Sequence, residues 1–345
     1  MKAAILTAPR TFNSASVELP PPGKNEVLVR VLCAGVCGSD LHFYESGRIG
    51  DAVLAEPFVM GHEFMGVIAE NYALSHAPAV GTRVAVDPAF SCGECEFCRS
   101  GRENICPFVR FCGFPPYSGA YCEFIHVPVQ NVFPIPDSIT DEEGPVLETL
   151  AVALHGLELI PPVKGKTCAV LGAGSIGLLV ILALQHYGAN IILVTEPVPE
   201  RRELARQIGC KHVADPNDPA QIQEYLKNQT VFGPELVFEA AGEEQSFQTA
   251  IDIAKPGGEV CLYGIRPQGK MNLDLTPMRR KELRMIYVRR SLPHNYPEAI
   301  RLVMEKHLDI KPIITHHVPL DEIQTGFDLA AERKEGAVKV IVDVD

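Results

Sequence analysis

The sequence predicts an α/β protein in two domains, the first rich in short strands and the second a doubly wound parallel sheet. Three observations carry that prediction. The chain has 345 residues, which at about 150 residues per domain asks for two cores. Near residue 150 the pattern changes from short strand-like runs broken by Gly and Pro to apolar runs alternating with amphipathic stretches. Such alternation builds parallel strands with helices on both faces. The first apolar run of the second half then opens into a glycine-punctuated turn and a long apolar segment, as strand, tight turn and helix would.

In chain order, residues 27–31 and 64–69 read as short strands, and Pro20-Pro21-Pro22-Gly23 and Pro115-Pro116 as turns. Beyond residue 150 the runs 168–171, 191–195, 236–239, 260–263 and 285–288 are too short for helices and rich in β-formers. Between them, 200–208 and 245–253 are amphipathic. A helix at 297–306 and a final strand at 338–342 close the chain.

Basic residues number 31 and acidic residues 43, a formal charge of −12. That balance excludes nucleic acid and anionic membrane as partners, since both demand a basic surface. The stretch 279–290 is a local basic exception whose default reading is a solvated face. The stretch 167–187 is uncharged but glycine-interrupted, so it reads as buried strand and helix rather than a membrane span. The start, MKAAILTAPR, has too short an apolar run for a signal peptide. The expected setting is cytoplasmic, where clustered cysteines mean metal or catalysis. There are eleven cysteines.

Residues 169–177 run as a strand into Gly172-Ala173-Gly174-Ser175-Ile176-Gly177 and a helix. In G-x-G-x-x-G the first glycine allows the turn, the second lets backbone approach a pyrophosphate, and the third lets helix pack on strand. A second strand ends in Glu196, nineteen residues past Gly177. Its carboxylate suits the ribose hydroxyls of NAD and repels the 2′-phosphate of NADP. NAD is therefore expected over NADP; Glu196 as a mere turn residue, with Arg201 and Arg202 serving a phosphate, is the alternative.

Cys92, Cys95, Cys98 and Cys106 stand as C-x2-C-x2-C-x7-C, a set suited to a closed, structural tetrahedral zinc. Lasting disulfides are the alternative that a reducing compartment disfavours. An iron–sulfur cluster is the sharper one, because Cys106-Pro107 echoes a ferredoxin ending while the x7 gap departs from it. Cys37, in Cys37-Gly38-Ser39-Asp40, precedes His62 of Gly61-His62-Glu63 by 25 residues. Thiolate, imidazole and carboxylate with one open position form a catalytic zinc set that assists hydride transfer to a nicotinamide.

Cys37-Gly38-Ser39-Asp40-Leu41-His42, Gly47-Arg48-Ile49-Gly50, Gly61-His62-Glu63-Phe64-Met65-Gly66, the four-cysteine lobe, Gly119-Ala120-Tyr121, the nucleotide motif and Lys311-Pro312-Ile313-Ile314-Thr315-His316 follow in order. Together they resemble the zinc-dependent medium-chain dehydrogenases, nearest to the sorbitol (polyol) dehydrogenase branch. The resemblance implies a GroES-like catalytic domain at 1–149 and 290–345, carrying a structural zinc lobe at about 90–110, and a Rossmann domain at 150–289. It implies Cys37, His62 and Glu63 on a catalytic zinc, with Glu148 binding that zinc or its water. Ser39 would hand the alcohol proton toward solvent, and His42 would extend that relay or touch substrate. Gly172, Gly174, Ser175, Ile176, Gly177, Glu196 and Arg201 would hold NAD. The implied activity is oxidation of a secondary alcohol of a polyol to a ketose, with two zincs per chain and a homotetramer or homodimer. Alcohol, threonine or amino-cyclitol oxidation, and a non-catalytic nucleotide-binding protein, are the rival readings.

Three positions depart from the pattern. Thr149 stands where Pro is common, a change expected to be minor. Phe43 replaces a frequent Tyr on the substrate side. Arg289 fits an expected Arg, but Arg290 is an added cation. A guanidinium pairs with carboxylate or phosphate, so an acidic or phosphorylated polyol is one expectation for Arg290. A surface position or subunit contact is the other.

Overall fold

The computed structural model describes residues 1–49, 52–266 and 269–344; Gly50, part of the resemblance, lies outside them. Strand β1 (Glu26–Gly35) has Val27, Val29 and Val31 fully buried with half-buried residues between them, the period-2 pattern of one core face. After helix α1 (Gly38–Ser46) come β2 (Glu63–Glu70), β3 (Arg83–Val86), β4 (Phe124–Pro128) and β5 (Val132–Pro134). Helix α2 (Val146–Glu158) leads into the second pattern.

There β6 (Thr167–Leu171), β7 (Asn190–Thr195), β8 (Val213–Ala214), β9 (Leu236–Glu239), β10 (Glu259–Leu262) and β11 (Arg284–Tyr287) form one six-stranded sheet. Its order is β8-β7-β6-β9-β10-β11, and every pairing is parallel. Read from β6 as the first strand this is 3-2-1-4-5-6, with the order reversing between β6 and β9. Helix α3 (Ser175–His186) follows β6 directly, apolar almost throughout and buried from Gly177 to Leu184. Helix α4 (Pro199–Gln207) follows β7 and starts on Pro199, whose missing N–H costs nothing at a first helical position.

After α5 (Asn295–Met304), strand β12 (Ile314–Pro319), α6 (Ile323–Ala331) and β13 (Lys339–Asp343) return to the first sheet. That seven-stranded sheet runs β5-β3-β2-β1-β13-β12, with β4 also pairing β1. Its core gathers Val29, Ile68, Val84, Val127, Phe327 and Val340, each such side chain stabilising by about 1.5–3 kcal/mol. Register places Glu63 opposite Gly35, and Ile341 opposite Gly35 from β13. Glu63 and Lys339 thus reach the same end of β1.

The chain divides into two compact units, one of Met1–Ala151, Arg290–Lys306 and Ile314–Asp345 and one of Val152–Arg289 with His307–Ile313. The short return of His307–Ile313 to the second unit was not legible in the sequence. Within that return the His307 ring lies 5.1 Å from that of His186 in α3. Among the described residues, no helix is long and apolar enough to cross a membrane.

Candidate active site and metal centres

Cys37 caps the N-terminus of α1 with extended backbone, its N–H donating to Asp40 Oδ2 at 3.2 Å. His62 and Glu63 open β2. Gly61 before them holds a φ of +99°, where a side chain would also meet the Tyr121 ring at 3.1 Å. Ligand atoms of Cys37, His62 and Glu63 all lie within 4.8 Å of one another. Residues from a helix cap and a strand start, far apart in sequence, therefore converge.

His62 Nδ1 lies 3.2 Å from Asp40 Oδ1, and Asp40 Oδ2 accepts from Tyr121 Oη at 3.1 Å. An imidazole that donates Nδ1–H to a carboxylate presents Nε2 as its free donor atom, the tautomer a metal needs. Burial opposes charge on His62, but Asp40 and Cys37 raise its pKa well above the usual imidazole value. Burial and then Glu63 push the Cys37 thiol up, so a thiolate there calls for a cation beside it. Burial also works against the Glu63 carboxylate, yet Lys339 and His62 hold its pKa below the usual range. The donor set fits a dication. Ser39 Oγ lies 3.3 Å from Cys37 Sγ and 3.5 Å from His62 Nε2, a hydroxyl against the same donors. Glu148 stands outside the 4.8 Å set, and burial with Glu63 nearby pushes its carboxyl to about 8.

In the lobe, Sγ separations are 3.8 Å for Cys92–Cys98, 3.5 Å for Cys95–Cys98, 3.8 Å for Cys95–Cys106 and 3.6 Å for Cys92–Cys106. Thiolates about 2.3 Å from one tetrahedral ion stand about 3.8 Å apart, whereas disulfide sulfurs stand about 2 Å apart. A multi-iron cluster would hold its thiolates much farther apart. The Cys95 and Cys98 N–H groups point at the Cys92 and Cys95 sulfurs. Backbone donors from Glu94 and Cys95 bring the Cys92 thiol down to about 7. This set fits a single closed tetrahedral ion.

In the second unit, Gly172 has φ +104°, and a Cβ on Gly177 would lie 2.0 Å from the Gly172 carbonyl oxygen. Gly174 caps α3, with Ser175 and Ile176 in its first turn and half-buried. A Cβ placed on Gly174 would have the Arg201 guanidinium as its nearest neighbour, at 3.8 Å. Backbone N–H groups, the helix dipole and a guanidinium therefore meet where a pyrophosphate would sit. Glu196 closes β7, accepting from Ala173 N at 2.8 Å and Val198 N at 3.1 Å. Arg202 is engaged by the carbonyls of Glu196 and Pro197, at 2.7 and 2.8 Å, and by Asp215 at 3.1 Å.

Two family profiles match the chain, the alcohol dehydrogenase GroES-like domain over residues 23–137 and the zinc-binding dehydrogenase over 175–305. Sorbitol dehydrogenase of Bacillus subtilis (strain 168) is 33% identical over 342 residues, 99% of this chain and 97% of that protein. The chain belongs to the zinc-dependent medium-chain dehydrogenases, in the sorbitol dehydrogenase branch. Two solved structures share the fold at full length. A short chain alcohol dehydrogenase from Escherichia coli CFT073, complexed with NADH, matches with 27% identity and a TM-score of 0.89, covering 100% of this chain and 99% of that one. Galactitol-1-phosphate dehydrogenase from Escherichia coli matches with 26% identity and a TM-score of 0.89, covering 100% of both chains. This protein is a zinc alcohol/polyol dehydrogenase that uses a nicotinamide cofactor, with a GroES-like sheet and a Rossmann sheet.

The dehydrogenase treats its sequence-predicted substrate residues unevenly. Phe43 is 1% exposed, packed edge-on to Phe58 and Phe114 at 5.8 and 5.0 Å, so its ring is core. His42 is half-buried on α1, one turn beyond Ser39. Arg289 and Arg290 fall in different units, and Arg289 is exposed. Arg290, half-buried, stacks over Phe111 at 5.3 Å and donates to the Asn104 carbonyl at 3.0 Å. Phe111 in turn lies 5.3 Å from the His62 ring. Sequence reasoning gave no role to Asp40, Tyr121 or Lys339. Asp40 and Tyr121 each had a signal, their places in the quoted Cys37-Gly38-Ser39-Asp40 and Gly119-Ala120-Tyr121 motifs, whereas Lys339 had none.

Proposed function

We propose that this dehydrogenase oxidises a secondary alcohol of a sugar alcohol to a ketose with NAD, using one catalytic and one structural zinc per chain. The observation that carries the reading is the convergence of Cys37, His62 and Glu63 with the Ser39 hydroxyl set against two of them. Cys37, His62 and Glu63 would hold the catalytic zinc and Cys92, Cys95, Cys98 and Cys106 the structural one, the former supplying a Lewis acid and the nicotinamide a hydride acceptor. Oxidation removes a hydride from carbon and a proton from oxygen. Ser39 takes that proton: its Oγ faces the donor set while the residue is half-buried beside exposed Gly38. His42, one turn on, continues the relay toward solvent. Asp40 keeps His62 in its working tautomer. Glu148, with its carboxyl raised to about 8, orders the water or alcohol near the metal.

Choice of NAD is supported by Glu196 at the end of β7, which repels a 2′-phosphate, and by Arg202, already engaged by carbonyls and Asp215. The test is a screen of sugar alcohols, their phosphates and acidic sugars with NAD and with NADP. Ketose formation with NAD supports the reading; turnover confined to simple alcohols, or to NADP, overturns it. The reading extends to a cytoplasmic homotetramer, with a homodimer as the alternative, which light scattering separates.

One observation favours an anionic polyol: Arg290 stacks on the ring that packs against His62. A charge-assisted bond from Arg290 predicts that Arg290→Ala lowers kcat/KM for an acidic or phosphorylated polyol by about 10- to 100-fold while neutral polyols change by less than about threefold. Equal loss on both classes removes this substrate reading and leaves Arg290 a packing residue of the lobe.

A further inference from the structure

Both oxygens of the Glu63 carboxylate are held by two groups that sequence reading left without a role. Thr149 Oγ1 donates to Glu63 Oε1 at 2.9 Å. The Lys339 ammonium donates to Glu63 Oε2 and, at 3.3 Å, to Thr149 Oγ1. All three side chains are buried. They come from β2, α2 and β13, and the room for them is made at Gly35, where a Cβ would lie 2.5 Å from Glu63 Oε2 and 3.3 Å from Lys339 Cδ.

The three bonds close a ring in which every group is used as its chemistry allows. A threonine hydroxyl has one proton and two lone pairs. Here the proton goes to Glu63 and a lone pair accepts from Lys339. Lys339 alone supplies charge but not orientation, because the terminal torsion of a glutamate is broad and nearly two-fold. A second donor on the other oxygen removes that freedom and sets the plane of the carboxylate. Groups that orient a ligating carboxylate are part of what holds the metal. A bare buried ion pair is a poor stabiliser, which leaves orientation as the property gained.

We propose that Thr149 is a positioning residue of the catalytic metal site: its hydroxyl, together with Lys339, locks the Glu63 carboxylate in the plane that serves the metal. The proposal rests on the reading that Cys37, His62 and Glu63 hold zinc. Thr149, expected from sequence to be a minor departure, is thereby a determinant of how firmly that zinc is kept.

The test uses zinc-loaded wild type, Thr149→Val and Thr149→Ser, with release of zinc to excess chelator followed by a colorimetric indicator. Two release phases are expected in wild type, and the four-cysteine site serves as an internal reference. Thr149→Val, which keeps the shape and loses the hydroxyl, should speed the catalytic-site phase by about 10- to 100-fold and leave the reference phase unchanged. Thr149→Ser should restore wild-type release. With cobalt(II) in the catalytic site, the visible absorption should change in Thr149→Val and return in Thr149→Ser. An unchanged or slower catalytic phase overturns the proposal, as does equal acceleration of both phases, which marks lost packing. A wild type with a single releasable zinc overturns the underlying metal reading instead, so the two failures are distinguishable.

Discussion

Cys37→Ala is expected to abolish turnover while leaving NADH binding intact. On the proposed reading Cys37 supplies the one thiolate of the catalytic set, and its sulfur also accepts from Ser39. With it gone, the remaining imidazole and carboxylate lose a partner and the set falls short of the three protein ligands of a catalytic zinc. Lewis-acid assistance is worth several kcal/mol, so kcat/KM should fall by at least about 10³-fold. Zinc content should drop from two to one per chain, because the four-cysteine site is a separate cluster. The NADH titration, followed by nicotinamide fluorescence, should be unchanged, since the glycine turn lies in the other unit. Retained activity with one zinc would remove Cys37 from the mechanism.

Gly177→Ala should produce the complementary loss. A Cβ there would stand 2.0 Å from the Gly172 carbonyl oxygen, a backbone atom, so α3 must move off the turn that begins at β6. Helix and turn together aim the N–H groups at the pyrophosphate, and displacing them should weaken NADH binding by about 100-fold, roughly 2.7 kcal/mol. Overpacking of this kind costs about 1–3 kcal/mol, which should lower Tm by about 2–10 °C. Both zincs should remain. Wild-type NADH affinity in Gly177→Ala would show that the close approach at this glycine is not what forms the site.

The two variants also separate what was legible in the sequence from what was not. Local spacing carried a great deal. The runs 168–171, 191–195, 236–239, 260–263 and 285–288 fall on the strands of the parallel sheet within about one residue, because an inner parallel strand must be apolar on both faces. Only the edge strand β11 is exposed at both ends. The four lobe cysteines span fifteen positions, so their ring of sulfurs is a local property. Gly172, Gly174 and Gly177 likewise announce a turn within one strand–helix junction.

What the sequence by itself determined, then, is the set of donors and the two kinds of sheet, since each follows from neighbours within a few residues of one another. Only the tertiary structure decided how those donors are oriented. Lys339 lies 276 positions from Glu63 and Thr149 lies 86 from it, so no periodicity or spacing joins them. A lysine in a short strand near the chain end reads as a surface residue, because lysines are almost never fully buried unless paired. Its partner becomes visible only when β2 and β13 are laid along the same end of β1. Phe43 and Arg290 show the same division, one absorbed into core and the other stacked behind Phe111 by contacts that no local pattern encodes. The kinds of donor atom are written in residue type, whereas the angle of a carboxylate depends on donors that strand register alone brings together.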